Sequence, residues 1–248
     1  MKKFIILLIS FGCFATLNAQ QLPQLTQYMV NNYAVNPAIA GMHDYYQANT
    51  TIRNMWVGVE GAPKTTLLSI YGKKGDNMGI GGMVYSDQAG STSRIGGSVS
   101  YSHHFSLSED VRVALALSGG FLQYRLVKSE LSVQNQMDPM FAGGDVVRSI
   151  PDATFGLNTY GKNWYAGVSI PQLISSNIDL IDRNFYNNSE QEGEGKLVQH
   201  FYVMGAYKHV MNPFWSLEPS VLLKTVTTAT QFDINVKATW DDKLWFGT

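Results

Sequence analysis

The chain has 248 residues, of which 15% are charged, and its formal net charge is −1. Soluble domains usually carry about 25% charged residues, and a near-neutral chain has no basic field to hold nucleic acid. The single cysteine, Cys13, lies within the first 19 residues, so the rest of the chain cannot use disulfides or thiol catalysis.

The first 19 residues predict a cleaved secretory signal peptide. Lys2 and Lys3 form a charged start, residues 4–17 are apolar, and Ala19 ends a small-residue cleavage site. A membrane anchor helix is the alternative, although the apolar stretch is shorter than the ~20 residues of a spanning helix. A lipoprotein signal at Cys13 is a weaker alternative, because the apolar stretch continues past that residue.

Residues 20–42 predict a segment that precedes the first strand. Asn36-Pro37 and Gly41 are residues typical of turns, and Pro37 holds its predecessor in an extended conformation. We expect this segment either to extend into the periplasm or to fill the interior of the fold that follows.

From residue 43 to residue 248 the sequence predicts about eleven β-strands. They lie at 43–53, 64–72, 77–86, 92–105, 111–126, 152–160, 163–170, 197–210, 214–224 and 230–240, with an eleventh that starts at Lys243. In the clearest strand, polar residues alternate with apolar ones, so that Gln231, Asp233, Asn235, Lys237 and Thr239 oppose Phe232, Ile234, Val236, Ala238 and Trp240. Because no later apolar stretch is long enough for a spanning helix, a membrane location requires a closed sheet. The predicted fold is an all-β, antiparallel transmembrane β-barrel.

The connections between these strands differ in length. Short turns alternate with longer connections, which include the polar segments 127–151 and 171–196. Outer-membrane barrels have this asymmetry, with tight periplasmic turns and longer extracellular loops. Four tryptophans beside the short turns predict an aromatic girdle, and the core of a soluble β-sandwich is the alternative; they are Trp164, Trp215, Trp240 and Trp245.

The end of the sequence predicts that further strands follow. Single-chain bacterial barrels have an even number of strands, whereas about eleven are visible and the last stops at Thr248 after some six residues. We expect a chain that is truncated at its C-terminus, with 12–14 strands in the full protein.

Several motifs carry a resemblance to a known family. The first are QLTQYMVN at 24–31, NPAIAG at 36–41, RNMWVG at 53–58 and GAPKT at 61–65. Their order resembles the opening of the PorP/SprF family, which comprises outer-membrane proteins of the type IX secretion system and gliding machinery of Bacteroidota. Weaker similarities continue from residue 22 to the end of the chain.

The resemblance implies a β-barrel that supports the export or surface anchoring of adhesin-like cargo. It implies no enzymatic activity and no cofactor. The expected partners are components of the type IX machinery, a secreted adhesin-like protein and outer-membrane lipid. The candidate partner contacts within the family motifs are Gln27, Tyr28, Asn36, Pro37, Gly41, Arg53, Trp56, Gly58, Gly61 and Pro63. For the last four of these, a role in folding their loop is the alternative.

The histidines predict no catalytic or metal centre. His103 and His104 are neighbours on a strand and therefore point to opposite faces, and no HExxH spacing is present. A lipid-modifying enzyme that uses His104 and a serine of the same strand is one alternative function, although no acid has a convincing spacing. A porin or small-solute channel is the other alternative, because the predicted lumen is polar.

Overall fold

Antiparallel strands form nearly all of the regular structure. The computed structural model describes residues 27–130, 144–175, 177–178, 195–196, 198–226 and 229–247. The predicted signal peptide at 1–19 lies outside the described residues. No helix in the described part of the chain is long and apolar enough to cross a membrane. The prediction of an all-β antiparallel fold is confirmed.

The strands in chain order are β1 (Gln47–Asn54), β2 (Lys64–Lys73), β3 (Met78–Ala89), β4 (Thr92–Ser106), β5 (Arg112–Leu126), β6 (Val146–Tyr160), β7 (Trp164–Ile170), β8 (Asn177–Ile178), β9 (Gly195–Lys196), β10 (Phe201–Tyr207), β11 (His209–Val210), β12 (Trp215–Val226), β13 (Ala229–Trp240) and β14 (Leu244–Gly247). Short 3-10 helices lie at Asn32–Ala34, Pro37–Ile39 and Lys128–Glu130.

One sheet follows the order of the chain. Its strands pair as β1-β2-β3-β4-β5-β6-β7-β10-β12-β13-β14, with the short β11 on β12, while β8 and β9 form a separate hairpin. These eleven principal strands match the eleven that the sequence predicts. Among the described residues, no ladder joins β1 to β14. The sheet nevertheless curves in the manner of a barrel, because β2, β4, β6, β7 and β12 all contact one segment at its centre.

The two faces of the sheet differ as the alternation predicts. The outer face is apolar and exposed, as shown by Ile52, Leu68, Ile70, Val84, Val99, Leu115, Leu117, Phe121, Val168, Val203, Val221, Phe232, Ile234 and Val236. The inner face buries small polar side chains, among them Thr65, Ser69, Ser100, Ser102, Ser118, Asn158, Ser169, Ser216, Ser220 and Asn235. A soluble sandwich would bury its apolar face instead, so this polarity favours a membrane barrel over a sandwich.

The connections lie at two ends of the sheet. One end, here called the turn end, carries the connections 74–77, 107–111, 161–163, 208–214 and 241–243. The other, here called the loop end, carries 55–63, 90–91, 127–145, 171–200 and 227–228. The loop end is less uniform than the sequence suggests, because the connection at 90–91 has only two residues.

Several strand limits differ from the prediction. β1 begins at Gln47 instead of residue 43. β6 begins at Val146 rather than at 152, since residues 146–151 pair with the far end of β5 and Pro151 lies on the exposed face. The predicted strand 197–210 is interrupted at Lys208, whose backbone N–H donates to Asn163 O at 2.7 Å.

Glycines on the inner face of β3 allow the central segment to approach the sheet. A Cβ atom at Gly79 would overlap the carbonyl group of Ala40 and the hydroxyl of Ser102. At Gly82, on the outer face of the same strand, the nearest atom to a Cβ would be Ser98 O at 3.7 Å. The two positions therefore offer a matched test of the packing inside the sheet.

We predict that Gly79→Ala lowers the free energy of unfolding by about 1–3 kcal/mol, as overpacking of a filled interior does. Gly82→Ala is expected to change it by less than about 1 kcal/mol, because the added methyl group meets only ordinary contacts. Thermal unfolding in detergent measures both. Equal unfolding temperatures for the two variants would contradict this account of the interior.

Candidate functional site: the inner segment and its cavities

Residues 27–42, here called the inner segment, occupy the centre of the curved sheet. Met29 and Val30 line a cavity at the turn end, whereas Tyr33, Val35 and Pro37 line a second cavity nearer the loop end. Gly41 and Met42 line the turn-end cavity again. The inner segment is therefore a re-entrant hairpin that enters and leaves at the turn end.

The inner segment contains no charged residue, and hydrogen bonds to neutral groups hold it in place. Tyr28 Oη donates to Ser220 Oγ at 3.2 Å, and Asn31 Nδ2 donates to Ser69 Oγ at 2.9 Å. At the tip, Tyr33 Oη lies 2.7 Å from Ser100 Oγ. The Tyr33 ring also stacks on Tyr71 with their centroids 4.4 Å apart. These contacts fix the segment to β2, β4 and β12.

Asn36 makes the most extensive contacts of the inner segment. Its side chain is fully buried, and its Oδ1 accepts from the Ala38 N–H at 3.0 Å at the start of the 3-10 helix Pro37–Ile39. Its Nδ2 donates to Leu157 O on β6 at 3.0 Å and to Val168 O on β7 at 3.3 Å. An amide is required here, because the same side chain has to accept on one side and donate on the other.

The carbonyl oxygen of Ala40 is the anchor at the other end of the segment. It accepts from Ser102 Oγ and lies 2.8 Å from His104 Nε2. A carbonyl oxygen can only accept, so the proton of the neutral imidazole is assigned to Nε2. His104 Nδ1 then accepts from Tyr160 Oη at 2.7 Å.

This arrangement bears on the alternative of a Ser–His enzyme. Ser102 Oγ lies 3.2 Å from His104 Nε2, a distance at which a histidine can activate a serine. The protonated Nε2 and the serine hydroxyl both donate to Ala40 O, so this nitrogen has no lone pair to accept the serine proton. The pair serves to hold the inner segment. As predicted, His103 lies on the opposite face, beside Tyr101 and Phe105.

Gly41 turns the chain back toward the sheet. Its φ is +86°, in the left-handed region that favours glycine. A Cβ atom there would lie 2.7 Å from His104 Nε2 and 2.8 Å from the Cα of Gly79. Both the conformation and the available space therefore require glycine at this position.

The turn-end cavity has a volume of about 840 Å³ and a charged wall. Lys237 Nζ pairs with Glu218 Oε2 at 2.8 Å, and Lys73 Nζ pairs with Asp44 Oδ1 at 2.5 Å. The hydrogen bond from Lys73 holds the pKa of the Asp44 carboxyl below its usual value. Burial lowers the pKa of His43, so its ring is neutral at pH 7. The wall thus combines paired charges with a neutral histidine.

The connection between β1 and β2 holds the remaining residues of the family motifs. It is closed by a hydrogen bond from Met55 N to Pro63 O at 2.9 Å, and a bond from Gly90 N to Gly61 O at 2.8 Å joins it to the connection between β3 and β4. Gly58 and Gly61 have φ values of +97° and +70°, as turns of this kind require. Two apolar side chains at the tip, Trp56 and Val57, are 68% and 87% exposed.

The ten candidate contact residues therefore fall into two groups at different places. Tyr28, Asn36 and Pro37 are buried inside the sheet, Gly41 contacts His104, and Gln27 is exposed at the start of the inner segment. The other five, Arg53, Trp56, Gly58, Gly61 and Pro63, lie at the loop end. A role in binding a partner stays a prediction for all ten. The buried members have internal contacts that account for their residue types.

Reasoning from the sequence missed the residues that receive the inner segment. Ser69, Ser100, Ser102, Ser169 and Ser220 follow only the general pattern of small polar residues on an inner face. Alternation identified the face, but no local signal identified these serines as contacts. Within the described ranges, no group of three or more histidine, cysteine, aspartate or glutamate residues could hold a metal ion.

Asn36 provides a direct test of how the inner segment is held. We predict that Asn36→Asp destabilises the fold by about 3–5 kcal/mol, because it buries a carboxylate against the carbonyl oxygens of Leu157 and Val168. Asn36→Ala is expected to cost about 1–3 kcal/mol through the lost hydrogen bonds. The measurement is denaturant unfolding in detergent. Asn54→Asp, at an exposed position of β1, is the control and should behave like the unsubstituted chain.

Comparison with known proteins gives the family. No curated protein matches the chain. Residues 17–248 match the model of the family described as type IX secretion system membrane protein PorP/SprF. Because this match covers almost the entire sequence, the chain belongs to the PorP/SprF family of type IX secretion system membrane proteins.

Proposed function

We propose that this chain is an outer-membrane β-barrel component of the type IX secretion and gliding apparatus that supports the export or surface anchoring of adhesin-like cargo. It reaches the outer membrane after a signal peptide is removed near Ala19. Its apolar outer face meets lipid, and its mechanism is binding. The observation that carries this proposal, beside the family, is the inner segment fixed across the lumen, because a filled lumen suits an anchor better than a conduit.

The two ends of the sheet offer different binding surfaces. At the loop end, the connections 127–145 and 171–200 and the exposed Trp56 and Val57 are available to a secreted cargo. Exposed aromatic side chains often dominate binding energy at interfaces. At the turn end, the charged cavity and the short turns are available to periplasmic components of the apparatus. Cargo thus binds at one end and machinery at the other.

Removal of the loop-end surface tests cargo binding. We predict that deletion of 131–143 or 179–194, or the substitution Trp56→Ser, lowers recovery of the adhesin-like cargo in pull-downs from detergent extracts. The expected loss is at least about tenfold, as for a binding contact worth about 2 kcal/mol.

The control is Leu107→Ser, which removes an exposed apolar side chain from the turn end. Its cargo recovery should equal that of the unsubstituted chain. Undiminished recovery from all three loop-end variants would refute binding of cargo at this end.

Planar-bilayer conductance separates the anchor from the porin alternative. We predict that the unsubstituted protein is silent and that a variant lacking residues 27–42 conducts, because deletion of the inner segment opens a polar lumen. The deletion is feasible because both ends of the segment lie at the turn end. A variant lacking 131–143 is the control and should stay silent. Steady conductance of the unsubstituted protein would favour the channel.

A further inference from the structure

A small, partly open cavity lies between the inner segment and the loop end. Its volume is about 100 Å³, and Tyr33, Val35 and Pro37 of the inner segment form its floor. The wall comes from the inner faces of β2, β3, β4, β5, β6, β10 and β12. At about 10–15 Å³ for each water molecule, the cavity has room for roughly seven to ten water molecules. One sugar ring occupies a similar space.

Rows of cross-strand neighbours on β3–β6 show where this cavity lies between the turn end and the loop end. Level with it, the row consists of Met83, Ser98, Gly120 and Asp152. Gly120 has no side chain, so it offers Asp152 no side-chain hydrogen-bond donor across the two strands. The next row toward the loop end is largely apolar and contains Tyr85, Gly96, Leu122 and Ile150. A third row at the mouth contains Asp87, Arg94, Tyr124 and Arg148.

A carboxylate oxygen in the wall of the cavity lacks a partner. Asp152 Oδ1 is excluded from solvent and accepts no hydrogen bond. Ser98, Ser118 and Thr154 also line the cavity with their hydroxyl groups. Buried polar atoms are nearly always satisfied in folded proteins. The cavity therefore suits an occupant that donates to Asp152 and exchanges hydrogen bonds with hydroxyl groups.

The surrounding charges select a neutral occupant. Lys224 lines the cavity and already pairs with Asp233, Nζ to Oδ2, at 3.0 Å. Arg94 lies over the ring of Tyr124 at 5.5 Å, in the row at the mouth. A cation would be repelled by Lys224 and Arg94, whereas an anion would be repelled by Asp152. A neutral molecule with several hydroxyl groups meets neither obstacle.

Tyrosine side chains complete the lining. Tyr33, Tyr85 and Tyr202 contribute to it from the inner segment, β3 and β10. Aromatic faces pack against the apolar faces of flat ligands, while a few polar groups fix their orientation, and this combination is typical of small-molecule sites. We propose that this cavity is a binding site for a neutral polyhydroxylated ligand the size of one sugar ring. Asp152 accepts from its hydroxyl groups, and the tyrosines pack against its faces.

Titration with simple sugars tests the site. The full chain in detergent is titrated with glucose, galactose and N-acetylglucosamine, each up to about 50 mM, and binding is followed by calorimetry and tyrosine fluorescence. We expect saturable binding of at least one sugar. Asp152→Asn should weaken it about tenfold, which matches the loss of one charge-assisted hydrogen bond.

Thr154→Val supplies a second variant, because it keeps the side-chain volume and removes one hydroxyl. It should weaken binding several-fold. Asp110→Asn, the same chemical change in a turn at the opposite end, is the control and should leave binding unchanged. Unfolding temperatures of all three show whether each variant is folded.

Three results would overturn the proposal. Absence of saturable binding for all three sugars means that the cavity holds only water. Equal affinity of the folded Asp152→Asn and Asp110→Asn variants places the binding elsewhere. Tighter binding of lysine amide than of any sugar means that the site takes a cation. None of these results bears on cargo recovery by the loop end, so this test and that of the proposed function fail separately.

Discussion

The structure depends on satisfying the backbone and amide groups of an irregular segment that lies inside a sheet. Backbone N–H and C=O groups that leave water need partners, and the turns and 3-10 helices of the inner segment pair only part of these groups with one another. The sheet supplies the missing partners. Ser169 donates to Val35 O at 2.6 Å, Ser102 and His104 donate to Ala40 O, and Asn36 reaches the backbone of β6 and β7. Small serine and glycine residues on the inner face follow from this need, because larger side chains would keep the segment away.

The same constraint relates the two faces to function. A lumen lined with small hydroxyl groups and filled by an uncharged segment leaves little free path for solutes between the two cavities. The outer face remains apolar, and charge is concentrated at the two ends. Membership of the PorP/SprF family of type IX secretion system membrane proteins agrees with such a division. Surfaces open to other molecules then remain at the two ends of the sheet and in the cavity above Tyr33.

The sequence predicted those features that depend on neighbouring residues. Alternation has a period of two, so the faces of β13 could be assigned before any pairing was known. The path of the inner segment could not be predicted, because its contacts join residues far apart in sequence: Asn36 and Val168 differ by 132 positions. No local pattern records such a contact. The start of β6 was also missed, since residues 146–151 contain a proline and gain their strand conformation from pairing with β5.

The site was predicted unevenly for the same reason. Asn36, Pro37 and Gly41 were identified as turn residues of a family motif, and the structure shows that their turn has to fit against His104, Gly156 and Gly79. Asp152 gave no signal, because one carboxylate on a strand is unremarkable until its neighbours are known. Its isolation results from the register that places Gly120 beside it.

The hairpin form of the inner segment has a consequence for biogenesis. Because both of its limbs emerge on one side, no part of residues 27–46 has to thread from one rim of the barrel to the other. The hairpin can insert into a curved sheet that has already formed, or the sheet can form around the hairpin. Residues 27–46 could leave the interior by the same route without unpairing any strand, because β1 begins only at Gln47.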